Sequence, residues 1–363
     1  MDAIRLLDLG FVPPVRSQSI YHALAHAMLP ETPDSLVLVS PIDPYVCIGF
    51  HQDLEKEVDM AFCRAHGLPV YRREVGGGAV YLDRDQLFTQ WVFHREHLPS
   101  SVEGRFALHV QALVDTYRAL GIAAYHRPIN DVHVDGRKIG GTGAARMGEA
   151  EVVVGSLMFD FDHEAMVRVL RLPSEKMRDK VYRSLREYVT TMSRELGRLP
   201  DREAVKGLYL DKLSALLGRE IVPGALTERE EAAARRWDER LSSRRWLYLR
   251  GGLKRDGVKI HEGVQVVEAE RKAPGGLIRV TASVRDGRID DLTISGDFTM
   301  SPAAGLDALE EAVRGLELRP EALLPRLQGV YGELDLQSPG VTPEEIAAVL
   351  LALSEGHRGD DPG

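Results

Sequence analysis

The sequence predicts an α/β (α+β) fold in which mixed strands and helices build a large N-terminal domain, followed by a smaller α+β domain. Short apolar segments typical of buried strands are interspersed with amphipathic helices over residues 1–245, without regular βαβ alternation. From about residue 258 the pattern changes to strand-like segments followed by helices. The length of 363 residues also exceeds the size at which a single hydrophobic core stops growing, so two domains are expected.

The elements of the first domain follow from periodicity, in chain order. Apolar residues at helical spacing predict a helix at residues 17–29, which Pro30 ends. Ser100 and Glu103 fit a capping box at the start of a further helix, and Gly121 suits the C′ position at the end of that helix. A short helix is expected at 59–66, and buried strands are expected at 36–39, 46–49, 68–72, 87–93, 131–134, 138–140 and 152–159.

The rest of the chain is divided by similar signals. Residues 162–218 are expected to be mainly helical, and Thr227 and Glu230 open a further helix. A meander of strands at 265–270, 277–284 and 289–295 has Asp286-Gly287 as a turn, and helices follow near 306–316 and 343–353. We therefore predict domains at 1–245 and 246–354, and a polar tail at 355–363 that is expected to be disordered.

Composition excludes several classes of protein. The formal net charge of −9 argues against a general nucleic-acid binder, which needs a basic surface. No segment approaches the ~20 apolar residues of a membrane span, and the N-terminus does not resemble a signal peptide, so we expect a cytoplasmic protein without membrane partners. Two cysteines do not build a disulfide framework, and no Cys/His spacing indicates zinc.

The most informative segment is the glycine-rich turn at residues 71–80, with the sequence YRREVGGGAV. Three consecutive glycines let a ligand approach the backbone amides, and the two preceding arginines offer forked donors for carboxylate or phosphate. The pattern matches neither G-x-G-x-x-G nor a Walker loop, and an ordinary tight turn remains the alternative. The candidate contacts to a ligand with an anionic head and an apolar body are Arg72, Arg73, Gly76, Gly77, Gly78, Ala79 and Val80.

A second segment, residues 130–143, has the sequence NDVHVDGRKIGGTG and is predicted to form a hairpin with Asp135-Gly136 at its turn. The hairpin brings Lys138 near Asn130 and Asp131. When ATP activates a carboxylate, negative charge develops at the α-phosphate and the acyl carbonyl, and a fixed ammonium there stabilises the transition state. Asp131 is a candidate Mg²⁺ ligand and Asn130 a candidate nucleotide contact. The alternative is an ordinary exposed hairpin.

Taken in order, these segments resemble the lipoate–protein ligase family, within the wider biotin and lipoate ligase fold. The resemblance rests on residues 48–52 (IGFHQ), 72–80, 130–131, 135–140 and 154–157 (VGSL), whose order and spacing agree over about residues 1–200. Segments 272–278 and 294–298 resemble the accessory C-terminal domain of these ligases, which is thought to serve adenylation.

The resemblance implies a role for each matched residue. Lys138 corresponds to the active-site lysine that contacts the carbonyl and phosphate of the acyl-adenylate. The lipoate and phosphate cradle corresponds to Arg73 and residues 76–80, to which Arg72 and Gly155 are added. The nucleotide side corresponds to Asn130, Asp131 and Gly140, with Asp131 as the candidate Mg²⁺ ligand.

Two positions depart from the family pattern. Val154 stands where the family commonly has a histidine, which puts in doubt any role for a histidine there. His51 lies in an unusual context before Gln52, and we expect it to be a structural surface residue rather than a catalytic one.

The function implied is ATP-dependent activation of lipoate to lipoyl-AMP and its transfer to a lysine of a lipoyl-domain carrier protein, with ATP and Mg²⁺ required. The alternatives are an octanoyl or lipoyl transferase of the same fold that acts without ATP, a biotin ligase, and a non-enzymatic lipoate-binding protein. A transferase of that kind needs a nucleophilic cysteine. Cys47 lies in an apolar strand-like segment and Cys63 on a short helix, and neither falls near Lys138 in sequence.

Overall fold

The predicted α/β (α+β) class is confirmed by a computed structural model of the chain, which describes residues 3–251 and 264–355. The predicted disordered tail at 355–363 lies, apart from residue 355, outside the described residues. No helix of the described part is long and apolar enough to cross a membrane.

The strands of residues 3–251 belong to two sheets. They are β1 (Ile4–Val12), β2 (Ser35–Pro41), β3 (Tyr45–Ile48), β4 (Val70–Arg72), β5 (Val80–Leu82), β6 (Gln86–His94), β7 (Tyr125–Arg127), β8 (Asp131–Val134), β9 (Arg137–Met147), β10 (Ala150–Met158) and β11 (Ile221–Pro223). Within the described residues the larger sheet has the order β11-β1-β2-β6-β10-β9-β8-β7, and the smaller has the order β4-β3-β5. From β2 to β7 all pairs in the large sheet are antiparallel, so short turns and hairpins connect several neighbours.

The helices of residues 3–251 cover both faces of the large sheet and pack against the small sheet. They are α1 (Pro14–Ala27), α2 (Leu54–Glu57), α3 (Met60–Ala65), α4 (Val102–Ala119), α5 (His163–Val169), α6 (Glu175–Tyr188), α7 (Met192–Leu196), α8 (Arg202–Leu217), α9 (Glu228–Ser242) and α10 (Arg244–Leu247). One apolar core joins the sheet to α4 and α8, and a second joins its other face to α1 and α9. A residue's face on the sheet therefore decides which helices it can contact.

Helix capping follows the predicted chemistry with one shift. The predicted start of a helix at Thr227 is confirmed by α9, where a capping box forms: the Thr227 amide donates to Glu230 Oε2 at 2.8 Å, and the Glu230 amide donates to Thr227 Oγ1 at 3.2 Å. At α4 the N-cap is Ser101, whose hydroxyl accepts from the Gly104 amide at 3.1 Å. The predicted cap at Ser100 is therefore wrong by one residue.

The C-terminal part forms its own core. An antiparallel meander of β12 (Val264–Ala273), β13 (Gly276–Arg285) and β14 (Arg288–Gly296) packs against α11 (Gly305–Val313), α12 (Pro320–Glu333) and α13 (Pro343–Glu355). The predicted boundary between residues 245 and 246 falls inside α10, and Trp246 packs into the core beneath α1 and α9.

Three buried histidines predict that acid destabilises the fold. Burial lowers the pKa of His22 and His109 to about 4 and that of His51 to about 3. In the unfolded chain the pKa of a histidine is near 6.5. Below that pH the unfolded state binds protons that the folded state does not bind, so the folded state becomes less stable as the pH decreases. The unfolding free energy of the wild type should decrease between pH 7 and pH 5. In His109→Gln this decrease should be smaller by about 2 kcal/mol, measured by urea denaturation at both pH values.

The control for this experiment is His66→Gln, at an exposed histidine after α3. It should retain the wild-type difference between the two pH values. An equal pH-dependent loss in the His109→Gln variant would contradict the assignment of buried histidines as the cause.

Candidate active site

The hairpin predicted around Asp135-Gly136 is confirmed. Both turn residues adopt the left-handed backbone conformation, with φ of +46° and +78°, as a two-residue type I′ turn between β8 and β9 requires. The hairpin places Lys138 on β9 beside β8, which begins at Asp131.

A β-bulge at Ile139 decides the direction of the lysine side chain. Asp131 pairs with Gly141, and His133 pairs with Lys138, which leaves one extra residue on β9. In a regular strand, the side chains of residues three apart point to opposite faces of the sheet. A bulge inserts one extra residue between them, so that the two side chains point to the same face. Lys138 and Gly141 consequently share a face, while Ile139 packs into the core beneath α4.

On that shared face the lysine forms an ion pair. Lys138 Nζ lies 2.6 Å from Asp131 Oδ1, and the two side chains are 34% and 21% exposed. The Lys138 carbonyl accepts a hydrogen bond of 2.8 Å from the amide of Thr190, which follows α6. The ammonium is thus held in place and remains accessible to a ligand.

Further polar groups surround Asp131, and sequence patterns did not mark them. His133 Nε2 lies 3.8 Å from Asp131 Oδ2, and the Tyr188 hydroxyl lies 3.5 Å from the same His133 nitrogen. Arg127 Nη1 donates to the Tyr188 hydroxyl at 2.8 Å. Burial lowers the pKa of His133, which favours its neutral form. These residues come from β7, β8 and α6, so only the tertiary structure brings them together.

Arg73 organises the glycine-rich turn. Its Nη2 donates to the carbonyl oxygens of Gly76 and Gly78, both at 2.9 Å, and its Nη1 donates to the Cys47 carbonyl at 3.2 Å. Because the guanidinium binds the carbonyls on one side, it fixes the path of the turn from within. Ala79 follows the turn, and Val80 begins β5 opposite Cys47.

Arg72 lies beneath the turn. Its side chain is fully buried, and it donates to the carbonyls of Gly49, Phe50 and Gln52 at 2.6–3.2 Å and to that of Leu247 at 2.9 Å. Burial lowers its pKa to about 9. With no exposed surface, the Arg72 side chain cannot contact a ligand in this conformation, so the sequence-based prediction of direct ligand contact is replaced by a positioning role.

The turn and the lysine meet on one strip of the sheet. A Cβ atom at Gly143 would lie 2.4 Å from Val75 Cγ1 and 3.7 Å from the Gly76 carbonyl, and one at Gly141 would lie 3.0 Å from Lys138 Nζ. These two glycines are two residues apart on one strand, so they share a face and are separated by roughly 7 Å. We call this strip, from Lys138 across Gly141 and Gly143 to residues 75–78, the glycine slot. Val154 lies beside Gly143 in its floor.

Two of the predicted glycines face the opposite side of the sheet. A Cβ at Gly155 would lie 2.7 Å from His109 Cε1 on α4, and one at Gly140 would lie 3.4 Å from the Ser156 carbonyl and 3.8 Å from Val132 Cβ. Close packing against α4 therefore accounts for the glycine at position 155, whereas the distances at Gly140 are ordinary van der Waals contacts. Sequence reasoning missed Gly141 and Gly143 as the glycines that line the slot, because strand parity depends on the bulge.

Asn130 brackets the edge of the slot. Its side-chain amide donates to the Thr142 carbonyl, and its own carbonyl accepts from the Thr142 amide at 2.9 Å. Asn130 is partly exposed and stands next to Asp131. The amide, carboxylate and ammonium predicted to lie together do so.

Residues 296–299, at the end of β14 and directly after it, cover the glycine-rich turn. The Gly77 amide donates to the Phe298 carbonyl at 3.4 Å, and a Cβ at Gly76 would lie 2.5 Å from the same oxygen. The Gly296 amide donates to the His51 carbonyl at 3.1 Å, and the rings of His51 and Phe298 stack with centroids 5.1 Å apart. His51 is 1% exposed and packs against the Phe298 ring, so its prediction as a surface residue is wrong.

The surroundings of the two thiols and of Asp131 bear on thiol and metal chemistry. Cys47 and Cys63 are both fully buried, and burial raises the pKa of each thiol, that of Cys63 to about 11. The described residues contain no group of three or more His, Cys, Asp or Glu that could hold a metal ion. The single carboxylate of Asp131 fits a Mg²⁺ ion that phosphates bring with them, since Mg²⁺ often takes one or two carboxylates plus phosphate oxygens.

The sequence matches the protein-family model "Lipoyl protein ligase A/B catalytic domain" over residues 13–214 and "Bacterial lipoate protein ligase C-terminus" over residues 266–350. Octanoyltransferase LipM of Kyrpidia tusciae is 28% identical, over 68% of this chain and 99% of its own length. Lipoate–protein ligase 2 of Staphylococcus aureus is 27% identical, over 85% of this chain and 88% of its own.

The fold is also similar to those of solved lipoate ligase structures. A bi-partite lipoate protein ligase of Thermoplasma acidophilum, studied with its E2 lipoyl domain, is 28% identical with a TM-score of 0.63, covering 71% of this chain and 100% of that chain. Plasmodium falciparum LipL1 in complex with lipoate shares the fold with a TM-score of 0.70 over 96% of this chain and 99% of its own, at 13% identity. The chain belongs to the lipoyl protein ligase A/B family, which includes lipoate–protein ligases and octanoyltransferases.

Proposed function

We propose that this protein is an ATP-dependent lipoate–protein ligase, which forms lipoyl-AMP and transfers the lipoyl group to a lysine of a lipoyl-domain carrier protein. The observation that carries the proposal is the glycine slot, where the Lys138 ammonium and a strip of sheet without side chains meet the glycine-rich turn. Such a site admits a carboxyl–phosphate junction at close range to a fixed positive charge.

In the first step the lipoate carboxylate attacks the α-phosphorus of ATP, and pyrophosphate leaves. Negative charge develops on the α-phosphate and the acyl carbonyl, where the Lys138 ammonium stabilises it. In the second step the amine of the acceptor lysine attacks the acyl carbonyl, AMP leaves and the amine loses a proton. Most of the rate gain comes from positioning and charge stabilisation, because no residue of this chain need bond covalently to the substrate.

The remaining candidate residues have supporting roles in this proposal. Arg73 fixes the path of the turn, and the backbone of residues 77–78 faces the anionic head. Ala79, Val80 and Val154 contact the apolar chain of lipoate, whereas the buried Val75 packs behind the turn. Asn130 and Asp131 lie on the nucleotide side. Asp131 is the residue that would hold Mg²⁺, which supplies charge neutralisation on the phosphates when bound.

We also propose that the two cores act as a catalytic unit and an accessory unit. The contact of Phe298 and Thr299 with the glycine-rich turn supports this assignment, because it makes the accessory unit part of the wall around the turn. The relation to ligases supports it further: the Staphylococcus aureus ligase aligns over 85% of this chain, whereas the Kyrpidia tusciae octanoyltransferase aligns over 68%.

The main alternative is acyl transfer through a cysteine without ATP. Its nucleophile would be a thiolate, and burial raises the pKa of both thiols of this chain. A biotin ligase would share the adenylation chemistry, so substrate assays must separate the two. A lipoyl domain is the favoured acceptor because the Thermoplasma acidophilum ligase was studied with one.

The purified chain should convert ATP and lipoate to lipoyl-AMP, detected by mass, and should lipoylate a purified lipoyl domain only when ATP is present. The double variant Cys47→Ala/Cys63→Ala should retain at least about half of this activity, because neither thiol takes part. Biotin in place of lipoate should give no adenylate.

Octanoyl thioester supplied without ATP serves as the opposing assay. Efficient transfer from it by the wild type, lost in the double cysteine variant, would contradict the ligase proposal and establish the thiol route. Circular dichroism of the variant shows whether a loss reflects unfolding instead.

A further inference from the structure

A second cationic site lies outside the glycine slot, between the C-terminal end of α1 and one face of α9. It is a pocket of about 250 Å³ lined by His26, Arg229, Ala233, Arg236, Trp237 and Arg240, which we call the arginine pocket. The arginines occupy positions i, i+7 and i+11 of α9, which places them on one side of the helix. Ala233 lies between them and is small and buried, so it leaves space at the centre.

Among the described residues, the arginines of the pocket form no ion pair, although the charge of Arg240 acts on the nearby Glu74 carboxylate. Within the part of the chain that the structure describes, no ion pair joins Arg229, Arg236 or Arg240 to a carboxylate, whereas the neighbouring Arg235 pairs with Glu231 at 3.5 Å. Arg240 is instead held over two indole rings, 4.7 Å from the centroid of Trp237 and 4.4 Å from that of Trp246. Cation–π contacts fix this guanidinium without neutralising it.

We propose that the arginine pocket binds a phosphate-type anion, such as inorganic phosphate or pyrophosphate. Guanidinium groups present forked donors that match phosphate oxygens, and hydrogen bonds to a charged group are stronger than those between neutral groups. Three convergent arginines beside a rigid indole wall therefore favour a small polyanion over an apolar ligand. This site is separate from the one at Lys138 and does not depend on the ligase proposal.

The pocket is connected to the glycine-rich turn through Glu74. His26, which lines the pocket, places its Nε2 2.9 Å from Glu74 Oε2, and the Glu74 amide donates to His22 Nε2 at 3.1 Å. Burial alone would raise the pKa of Glu74, but the hydrogen bond to His26 and the charges of His22, His26 and Arg240 outweigh it and hold the pKa below its usual value. Since Glu74 directly precedes Val75, an anion in the pocket adjoins the residues that support the turn.

Tryptophan fluorescence of the full chain provides the test. Two of the three tryptophans, Trp237 and Trp246, contact Arg240, and Trp91 is buried in the core beneath α4. Sodium phosphate and sodium pyrophosphate should each give a saturable change that sodium chloride of equal ionic strength does not. Arg236→Gln/Arg240→Gln should weaken anion affinity at least ~10-fold, and the matched control Arg235→Gln should leave it unchanged.

Replacing Arg240 could disturb the packing of the two indole rings, so anion affinity is also measured for Arg236→Gln alone, by isothermal titration calorimetry. This single variant should also bind the anions more weakly than the wild type. Lys138→Ala should bind both anions as the wild type does. The proposal is overturned by equal affinity in the wild type and the arginine variants, by the absence of a saturable signal, or by binding that is lost in Lys138→Ala alone.

Discussion

Lys138→Ala should reduce the rate of lipoyl-AMP formation at least ~100-fold, because the variant removes the one ammonium held against the glycine slot among the described residues. Stability should change by no more than about 1 kcal/mol, since the ion pair with Asp131 is partly exposed and such pairs contribute little to folding. The measurement is pyrophosphate release with saturating ATP and lipoate, together with urea denaturation. The contrast between a large kinetic effect and a small stability effect identifies a catalytic group.

A matched control exists on α6, where Lys180 is exposed and distant in sequence from the hairpin. Lys180→Ala should retain the wild-type rate, which excludes a general effect of removing surface charge. If Lys138→Ala loses only a few-fold in rate, the ammonium does not stabilise the adenylation transition state, and the proposed mechanism is wrong.

The hairpin that carries Lys138 could be predicted because its information is local. Asp135-Gly136 can adopt the two left-handed conformations of a type I′ turn, so the pairing of β8 with β9 follows from two adjacent residues. The bulge at Ile139 could not be predicted in this way. Its cause is the burial of Ile139 beneath α4, a long-range contact, and the bulge alone decides that Gly141 rather than Gly140 faces the lysine.

The two arginines before the glycines show a similar limit. Sequence supplied the charge of both, but not their surroundings: Arg72 is enclosed by carbonyls of residues 49–52 and by the Leu247 carbonyl almost 180 residues away. The same holds for His51, which stacks against Phe298, a residue almost 250 positions further along the chain. Residue type predicted the chemistry available near the turn, and only the packing of distant segments decided which group is exposed to a ligand.

Segments with ambiguous local signals were the ones missed in the fold. The helix α12 begins at Pro320 and contains Pro325, a residue that normally argues against a helix interior. Its Leu323 and Leu327 are fully buried in the C-terminal core, and that burial outweighs the local preference. The strand β1 depends on distant contacts in the same way: Ile4 packs into the core beneath α4, Leu7 packs into the core beneath α1, and the strand gains its partners from β2 and β11.

Gly49→Ala should lower the rate of lipoyl-AMP formation about 100-fold, through the position of the glycine-rich turn and without touching the substrate. A Cβ at this position would lie 1.9 Å from the Gly77 carbonyl oxygen and 2.9 Å from its carbon, both backbone atoms. The turn must therefore move by roughly 1 Å or more, and a displacement of that size near reacting groups costs on the order of 10²-fold. The overpacked site should also lose about 1–3 kcal/mol of unfolding free energy.

Gly207→Ala provides the comparison for this variant. Gly207 is exposed on α8 with no atom within 4 Å of an added Cβ, so alanine there should leave the rate unchanged and stabilise the helix by up to about 1 kcal/mol. Pyrophosphate release and urea denaturation are measured on both variants at a temperature where both are folded. A Gly49→Ala protein that is folded and forms lipoyl-AMP at the wild-type rate would mean that the chemistry does not depend on where the Gly77 backbone lies, since the added methyl group cannot be accommodated while that backbone stays in place.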